Sequence, residues 1–219
     1  MLAKDLINNN IPRLQLDDSV VKAKQLMNDF KLTHLSVVTE KKFLGTISEE
    51  DLLDVEEEKI PIELIQEHFN TAFIFEDIHF LNALSFCNKM DSNIAPVLSK
   101  NGEFVGVITS TDLLKAMGDF SGANEIGGLI MLEMEPVHFS ISEISRIVES
   151  NDCTILHLNS TVQSNGLFLV TLHLNKREIS SVVATFQRYE YEVKHHFGAT
   201  VHQDTTDINF RNLMNYLDM

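Results

Sequence analysis

The sequence is poor in positive charge, in cysteine and in long apolar runs. Its 219 residues include 17 lysines and arginines against 32 aspartates and glutamates, which gives a formal net charge of -15. Nucleic-acid-binding proteins need a basic surface to neutralise phosphates, so this balance argues against a nucleic-acid partner. No apolar run approaches the roughly 18 residues of a membrane span, and the N-terminus lacks the apolar core of a signal peptide. We therefore expect a cytoplasmic protein with no membrane partner.

The sequence also lacks the ligand spacings that metal sites require. Its two cysteines, Cys87 and Cys153, lie inside apolar patterns, so we expect buried free thiols rather than a disulfide. His157 and His173 occupy two copies of LHLN on neighbouring predicted strands, and alternation places them on the face opposite the leucines. A metal site there is the alternative interpretation, but no carboxylate or cysteine completes a ligand set. We interpret both histidines as polar residues of a sheet face and expect no bound metal.

The first half of the chain contains an internal repeat. A shift of 60 or 61 residues aligns the two copies and pairs these residues: Asp17 with Asp77, Ala23 with Ala83, Phe30 with Met90, Ser36 with Pro96, Gly45 with Gly106. Such self-similarity over a fixed period indicates two homologous structural units. Each copy alone is too small to cover its apolar faces, so we expect the two copies to pack together.

Each copy predicts the same order of helices and strands. Asp17 and Asp77 follow short apolar segments and are candidate N-caps. The helices that follow carry apolar stripes at helical spacing: Val20, Ala23, Met27 and Phe30, then Phe80, Ala83, Cys87 and Met90. Two strands come next, and the second strand of each copy runs directly into another helix.

A hydroxyl and a carboxylate mark the end of each copy. GTISEEDLL contains Ser48 and Asp51, and GVITSTDLL contains Thr109 and Asp112. One interpretation is a helix-capping box. The other is a ligand site, in which the hydroxyl and free N–H groups reach a phosphate and the carboxylate accepts hydrogen bonds from ribose hydroxyls. The two interpretations are compatible because the same groups serve whichever partner is present.

The doubled pattern resembles a pair of CBS domains, a Bateman module, over roughly residues 1–119. The resemblance implies an adenine nucleotide (AMP, ADP or ATP) in clefts between the two units, with no other cofactor required. It implies phosphate-side hydroxyls at Ser48 and Thr109 and ribose-binding carboxylates at Asp51 and Asp112. It also implies a base pocket near these residues: Ile11, Arg13, Ser36, Thr71 to Phe73, Ala95 and Pro96.

The two candidate sites differ in charge. Glu49 and Glu50 crowd the first with carboxylates, which repel a polyphosphate. The second instead offers Ser110 and Thr111, with Lys115 one turn further on. If only one site binds a nucleotide, we expect it to be the second.

The second half of the chain predicts a βαββαβ order over residues 126–197, the ferredoxin-like plan. A helix over 140–151 begins at a capping box of Ser140 and Glu143, and Asn165-Gly166 joins two alternating strands. This unit resembles an ACT domain, a small-molecule-sensing module, and the combination resembles the acetoin-utilisation regulatory family. The turn after the first strand is EPVHFS, without the glycine of ACT effector sites, so amino-acid binding is not expected.

The predicted fold class is α+β, a tandem CBS pair with a C-terminal ACT-like unit. The predicted boundaries are 1–59 and 60–119 for the CBS units, 120–125 for a connector, 126–197 for the ACT-like unit, and 198–219 for a tail with a short amphipathic helix.

The predicted function is a non-catalytic regulatory sensor that binds an adenine nucleotide and passes the signal to the ACT-like unit or to a partner. No arrangement of nucleophile, base and oxyanion donors supports an enzyme. The alternative is a ligand-free dimerisation or scaffold module that regulates a metabolic enzyme by protein contact. In either case we expect a homodimer, formed through an open sheet face that displays Ile155, Leu167, Leu169 and Thr171.

Overall fold

A computed structural model describes residues 1–198 of the chain. The chain divides into two compact units, Met1–Gly118 and a second unit that begins at Asp119. No helix in the described range is both long and apolar enough to cross a membrane. The predicted tail helix, with its stripe of Phe210, Leu213, Met214 and Leu217, lies outside the described residues.

The N-terminal unit alternates helices with short strands. In chain order it contains a 3-10 helix (Ala3–Leu6), α1 (Val20–Phe30), β1 (His34–Thr39), β2 (Lys42–Ser48), α2 (Glu49–Leu53), a second 3-10 helix (Ile62–His68), β3 (Ile74–Phe75), α3 (Phe80–Met90), β4 (Ile94–Leu98), β5 (Phe104–Thr109) and α4 (Ser110–Ser121). β1 and β2 pair antiparallel. β4 pairs antiparallel with β5 and parallel with β3. α4 continues through residues 120 and 121, so the start of the predicted connector is helical.

The two copies are related by a twofold-like rotation. Phe43 stacks on its repeat equivalent Phe104, with ring centroids 6.0 Å apart and planes 8° from parallel. At another point of contact, Thr33 N–H donates to the Oδ1 of its own equivalent, Asn93, at 3.1 Å. Contacts between equivalent residues occur where a symmetry axis passes. The packing of two related copies predicted from the sequence is therefore confirmed.

Each copy contributes a segment to the core of the other. Ala3 is fully buried among the core residues of the second copy, while Ile62 and Ile65 pack in the core of the first. A Cβ on Gly45 would lie 2.7 Å from Phe69 Cβ, and one on Gly106 would lie 2.6 Å from Ile7 Cγ2. Because glycine has no Cβ, Gly45 and Gly106 allow the segment exchanged from the other copy to pass close to β2 and β5.

The helix caps differ from the predicted ones. α1 begins after Ser19, whose hydroxyl accepts from Lys22 N–H at 3.3 Å, and α3 begins after His79. Asp17 and Asp77 are therefore not N-caps, because the chain makes a further turn before each helix starts.

The last residue of each predicted stripe is more exposed than the rest. Phe30 and Met90 are 44% and 37% exposed, since each helix ends there and the next residue is left-handed.

The second unit has the βαββαβ order that the sequence predicts. Its elements are β6 (Gly128–Met134), α5 (Ile141–Glu149), β7 (Ile155–Val162), β8 (Phe168–Leu174), α6 (Ser180–Arg188) and β9 (Glu192–Phe197). The sheet is antiparallel with strand order β7-β8-β6-β9. Both helices pack on one face of it, where Phe186 is fully buried. Ser140 caps α5 as predicted by accepting from Glu143 N–H at 3.4 Å, but the Glu143 carboxylate accepts from Tyr191 instead of completing the predicted capping box.

A β-bulge in β7 changes which residues face the core. Ile155 pairs with Leu174 and His157 pairs with His173, so Leu156 is the extra residue. As a result Ile155 packs against the core and Leu156 is exposed, the reverse of the predicted alternation. His157 and His173 are cross-strand neighbours as predicted, with ring centroids 6.0 Å apart, but His173 is buried rather than displayed on an open face.

The two cysteines are free and buried, as predicted. Cys87 packs in the core of the second copy, and burial raises the pKa of its thiol to about 11. Cys153 packs in the core of the second unit. In the described part of the chain, no group of three or more histidine, cysteine or acidic side chains could hold a metal ion.

Candidate functional site

β2 runs directly into α2 through a hydrogen-bonded box made by Ser48 and Asp51. The Ser48 backbone N–H and hydroxyl both donate to Asp51 Oδ2, at 3.2 and 2.5 Å. The Asp51 N–H donates in return to Ser48 Oγ at 3.0 Å. The other carboxylate oxygen, Oδ1, lies 3.8 Å from His68 Nδ1 and accepts no hydrogen bond from the described residues. Oδ1 is therefore available to accept a hydrogen bond from a ligand hydroxyl.

The second copy forms the same box between β5 and α4. The Thr109 N–H and hydroxyl donate to Asp112 Oδ2 at 3.4 and 2.6 Å, and Asp112 N–H donates to Thr109 Oγ1 at 3.1 Å. The Asn8 side-chain amide adds a third donor to the same oxygen at 3.3 Å. Each hydroxyl both donates and accepts inside its box, so it holds the carboxylate in a fixed orientation.

The first box lines a cleft of about 790 Å³. This volume is within the usual range for small-molecule sites. Four carboxylates border the cleft, from Glu49, Glu50, Asp51 and Asp91. Neither lysine nor arginine is among the described residues that line it.

His34 contributes an imidazole to the same cleft. Burial lowers the pKa of His34 below its ordinary value, and the nearby carboxylates of Asp51 and Asp91 only partly offset this effect. The Thr33 hydroxyl lies 2.8 Å from His34 Nδ1. At neutral pH His34 is therefore an uncharged hydrogen-bonding group and does not neutralise the carboxylates.

The sequence of this unit matches a known family. Residues 3–58 and 72–119 match the sequence profile of the CBS domain. The N-terminal unit is a CBS domain pair. The boxes at Ser48 and Thr109 are the equivalent ends of its two repeats.

Three solved structures are similar to about half of this chain. A CBS domain pair/ACT domain protein from Thermotoga maritima is 19% identical over 55% of this chain and 98% of its own, with a TM-score of 0.49. A putative acetoin utilization protein from Vibrio cholerae is 22% identical over 57% of this chain and 95% of its own, with a TM-score of 0.47. CBSX2, solved in complex with AMP, is 17% identical over 54% of this chain and 97% of its own, with a TM-score of 0.47.

Two buried hydroxyls of the CBS pair have no hydrogen-bond partner among the described residues. They belong to Ser36 and Thr46, which are 1% and 7% exposed and face each other across β1 and β2. Their repeat equivalents, Pro96 and Val107, are apolar and also face each other. A buried hydroxyl without a partner is costly, and such groups occur at ligand sites. Thr46 lines the cleft beside Ser48.

The CBS pair brings some of the predicted base-pocket residues to the first box. Ala72 and Pro96 line a small recess that shares Thr46, His34 and Asn70 with the cleft. The first box is thus combined with residues of the second copy, as the resemblance implied for a cleft between units.

The remaining predicted site residues do not line the cleft at the first box. Ala95 is fully buried in the core of the second copy, because it points to the opposite side of β4 from Pro96. Ile11 packs against the core of the first copy, and Arg13 is exposed. Thr111 is exposed in the first turn of α4.

Two asparagines at the boxes are absent from the prediction. Asn8 and Asn70 follow the exchanged 3-10 helices and pair with the strands of the opposite copies, at Val107 and Thr46. The side chain of each accepts from the backbone N–H two residues later, at 3.1 and 2.9 Å. Their separation of 62 residues nearly equals the repeat shift and could have identified them from the sequence.

The second unit has a separate cleft of about 550 Å³ beside the end of β6. The Tyr191 hydroxyl donates to Glu143 Oε2 at 3.0 Å, and burial together with this bond raises the pKa of Tyr191 to about 12. Lys194 contacts Glu133 and Glu192 at 2.7 and 2.8 Å, and these bonds raise the pKa of Lys194. These polar groups are paired with one another inside the unit.

Proposed function

We propose that this protein is a regulatory sensor that binds an adenine nucleotide at the Thr109–Asp112 box of its CBS pair. The observation that supports this most directly is the fixed carboxylate of Asp112. Its Oδ2 accepts three hydrogen bonds from within the protein. Within the described residues no hydrogen bond is made to Oδ1, which can accept from a ribose hydroxyl.

The phosphate contacts are assigned to the first turn of α4. Thr109 is 7% exposed and its hydroxyl is engaged with Asp112, so the exposed Ser110, Thr111 and Lys115 are better placed to meet a phosphate. Two hydroxyls, a lysine and the positive end of a helix favour an anion. The carboxylates of Glu49 and Glu50 at the first box oppose one.

The signal is proposed to pass along α4. This helix begins at the box and continues to Ser121, beyond the point at which the second unit begins. Ligand contacts at its N-terminus therefore act on the element that leads into the βαββαβ unit. We propose that this unit, with its β7-β8-β6-β9 sheet, is an ACT-like module that responds to the nucleotide or contacts a regulated enzyme.

The nucleotide proposal is tested by thermal unfolding in the presence of AMP, ADP, ATP and, as a control, GTP. A ligand that binds the folded form alone and is present at a hundred times its dissociation constant adds about 2.7 kcal/mol to the free energy of unfolding. At least one adenine nucleotide is expected to raise the melting temperature, whereas GTP is not. Equal melting temperatures with and without every adenine nucleotide would contradict the proposal.

A second proposal, supported by a different observation, is that the protein forms a homodimer. Both helices of the second unit pack on one face of its sheet. The other face carries partly exposed apolar side chains from three strands, Leu129, Met131, Leu169 and Phe197. Leu129 pairs with Phe197 across the strands, and Met131 lies beside Leu129 on the same face. An exposed apolar patch is typical of an interface, and twofold self-pairing is the commonest solution. A ligand-free dimerisation or scaffold module is the alternative function that this face supports.

Leu169→Glu is expected to shift the protein from dimer towards monomer, because the interface would then bury an unpaired charge. Light scattering coupled to size exclusion at several concentrations measures the change. Val137→Glu is the matched control, since Val137 is 81% exposed in the short 3-10 helix Pro136–His138 that follows β6. Wild-type protein that remains monomeric at high micromolar concentration would rule out the dimer. A Leu169→Glu variant that remains fully dimeric would exclude this face as the interface.

A further inference from the structure

The cleft at the Ser48–Asp51 box, called the first cleft below, differs from the Thr109–Asp112 box in the charge that it presents to a ligand. Its wall carries the carboxylates of Glu49, Glu50 and Asp51 from one copy and Asp91 from the other. The basic groups on this wall are two imidazoles, His34 and His68. His34 is half-buried, and His68 lies 3.8 Å from Asp51 Oδ1. A phosphate placed here would meet several like charges at close range, with no fixed cation to offset them.

The cleft nevertheless offers polar groups suited to an uncharged ligand. Thr46 is 7% exposed, lines both the cleft and its adjoining recess, and its hydroxyl has no partner among the described residues. Asp51 Oδ1 can accept from a sugar hydroxyl. Asn70 supplies an amide at the same edge, and Ala72 and Pro96 give the recess an apolar wall. These groups suit the heterocycle and sugar of a nucleoside.

We propose that the cleft at the Ser48–Asp51 box binds an uncharged or positively charged nucleoside and discriminates against nucleotides. This rests on the proposed function, in that the ligand remains an adenine derivative bound by a CBS pair. It adds that the two repeats differ in ligand class, with the nucleotide at Asp112 and the nucleoside at Asp51. The protein then responds to a phosphorylated and an unphosphorylated ligand through separate sites.

The test is calorimetric titration of the full chain carrying Asp112→Ala, which weakens the second site. The probes are adenosine, AMP, ATP and 5′-amino-5′-deoxyadenosine, which carries a positive charge in place of the phosphate. The amine is expected to bind at least as tightly as adenosine, and adenosine at least tenfold more tightly than ATP. Adding Asp51→Ala is expected to weaken adenosine binding at least tenfold, which assigns the binding to this cleft.

The charge argument has its own variant and matched control. Glu49→Gln with Glu50→Gln removes two carboxylates from the cleft wall and is expected to reduce the preference for adenosine over ATP at least fivefold. Glu56→Gln with Glu57→Gln removes the same charge from exposed positions outside the cleft lining and is expected to change that preference less than twofold. The comparison separates local repulsion from the effect of net charge.

Thr46→Val provides a readout that a purely structural role would not give. Valine has the same shape without the unpaired buried hydroxyl, so the melting temperature of the free protein is expected to stay the same or rise. Adenosine affinity is expected to fall threefold to tenfold, since a hydrogen-bonding group is lost. Unchanged adenosine affinity in this variant would overturn the assignment of Thr46 to the ligand.

The remaining outcomes distinguish the two proposals. ATP that binds the first cleft as tightly as adenosine, or a Glu49 and Glu50 variant that behaves like its control, overturns the nucleoside assignment and leaves the nucleotide sensor intact. A third result also overturns only the nucleoside assignment. In that result nucleotides bind the wild type and bind Asp112→Ala more weakly, while no nucleoside binds. Absence of binding by every nucleoside and nucleotide to the wild type overturns both proposals.

Discussion

Replacement of Asp112 by alanine is expected to weaken adenine-nucleotide binding by more than tenfold. The carboxylate is fixed by Thr109 and Asn8, so its free oxygen is held in place before the ligand arrives. A hydrogen bond to a charged group is worth about 1.5 to 3 kcal/mol, and about 1.4 kcal/mol corresponds to a factor of ten in affinity. Calorimetric titration with AMP, ADP and ATP at one fixed salt concentration measures the loss.

Asp51→Ala is the matched control for this prediction. It removes the equivalent box of the first copy, so it incurs the same kind of capping cost in α2. Its effect on nucleotide affinity is expected to be smaller, because Glu49 and Glu50 already disfavour a phosphate at that box. Equal nucleotide binding by the wild type and by Asp112→Ala would refute the assignment of Asp112.

Replacement of Phe80 by alanine is expected to lower the free energy of unfolding of the CBS pair by about 3 to 5 kcal/mol. Phe80 begins α3 and is fully buried, where it packs with Ala3 from the exchanged N-terminal segment. Truncation leaves a cavity at the junction of two copies that cannot close without moving both. Urea denaturation measures the change.

Two further phenylalanines make this measurement specific. Phe30 lies at the end of the equivalent helix and is 44% exposed, so Phe30→Ala is expected to cost about 1 to 2 kcal/mol, less than Phe80→Ala, because nearly half of the side chain is already in water. Phe186 is fully buried in the second unit, so Phe186→Ala is expected to lower the free energy of unfolding of that unit rather than that of the CBS pair. A Phe80→Ala variant no less stable than Phe30→Ala would show that the exchanged segment does not form part of a rigid core.

The repeat was predictable because both copies bury equivalent apolar faces and therefore carry the same apolar pattern. Helical spacing of Val20, Ala23 and Met27, and the doubled strand-to-helix motif, are local patterns that each copy carries by itself. The capping boxes were predictable for the same reason, since hydroxyl and carboxylate lie three residues apart. In the second unit, the βαββαβ order followed from periodicity and from the turn at Asn165-Gly166.

The sequence-based predictions were wrong where the register of a strand or the first residue of a helix differs from the simple pattern. The bulge at Leu156 reversed the faces predicted for Ile155 and Leu156, because alternation fails when one strand gains a residue. The caps are Ser19 and His79 rather than Asp17 and Asp77, because each helix starts two residues later than the predicted cap implies. Both errors concern features that depend on hydrogen bonds to other strands or turns.

By itself the sequence determined the two related copies, the order of their elements, the boxes at Ser48 and Thr109, and the charge contrast between them. Only the tertiary structure decided that each 3-10 segment packs in the opposite copy, which brings Asn8 to Asp112 and places Asn70 beside the Ser48–Asp51 box. It also decided that Thr46, inconspicuous inside an apolar strand, is buried without a partner next to Ser48. The physical reason is that periodicity records which face of an element is apolar. Which residues of a distant segment meet at that face depends on how the two copies pack.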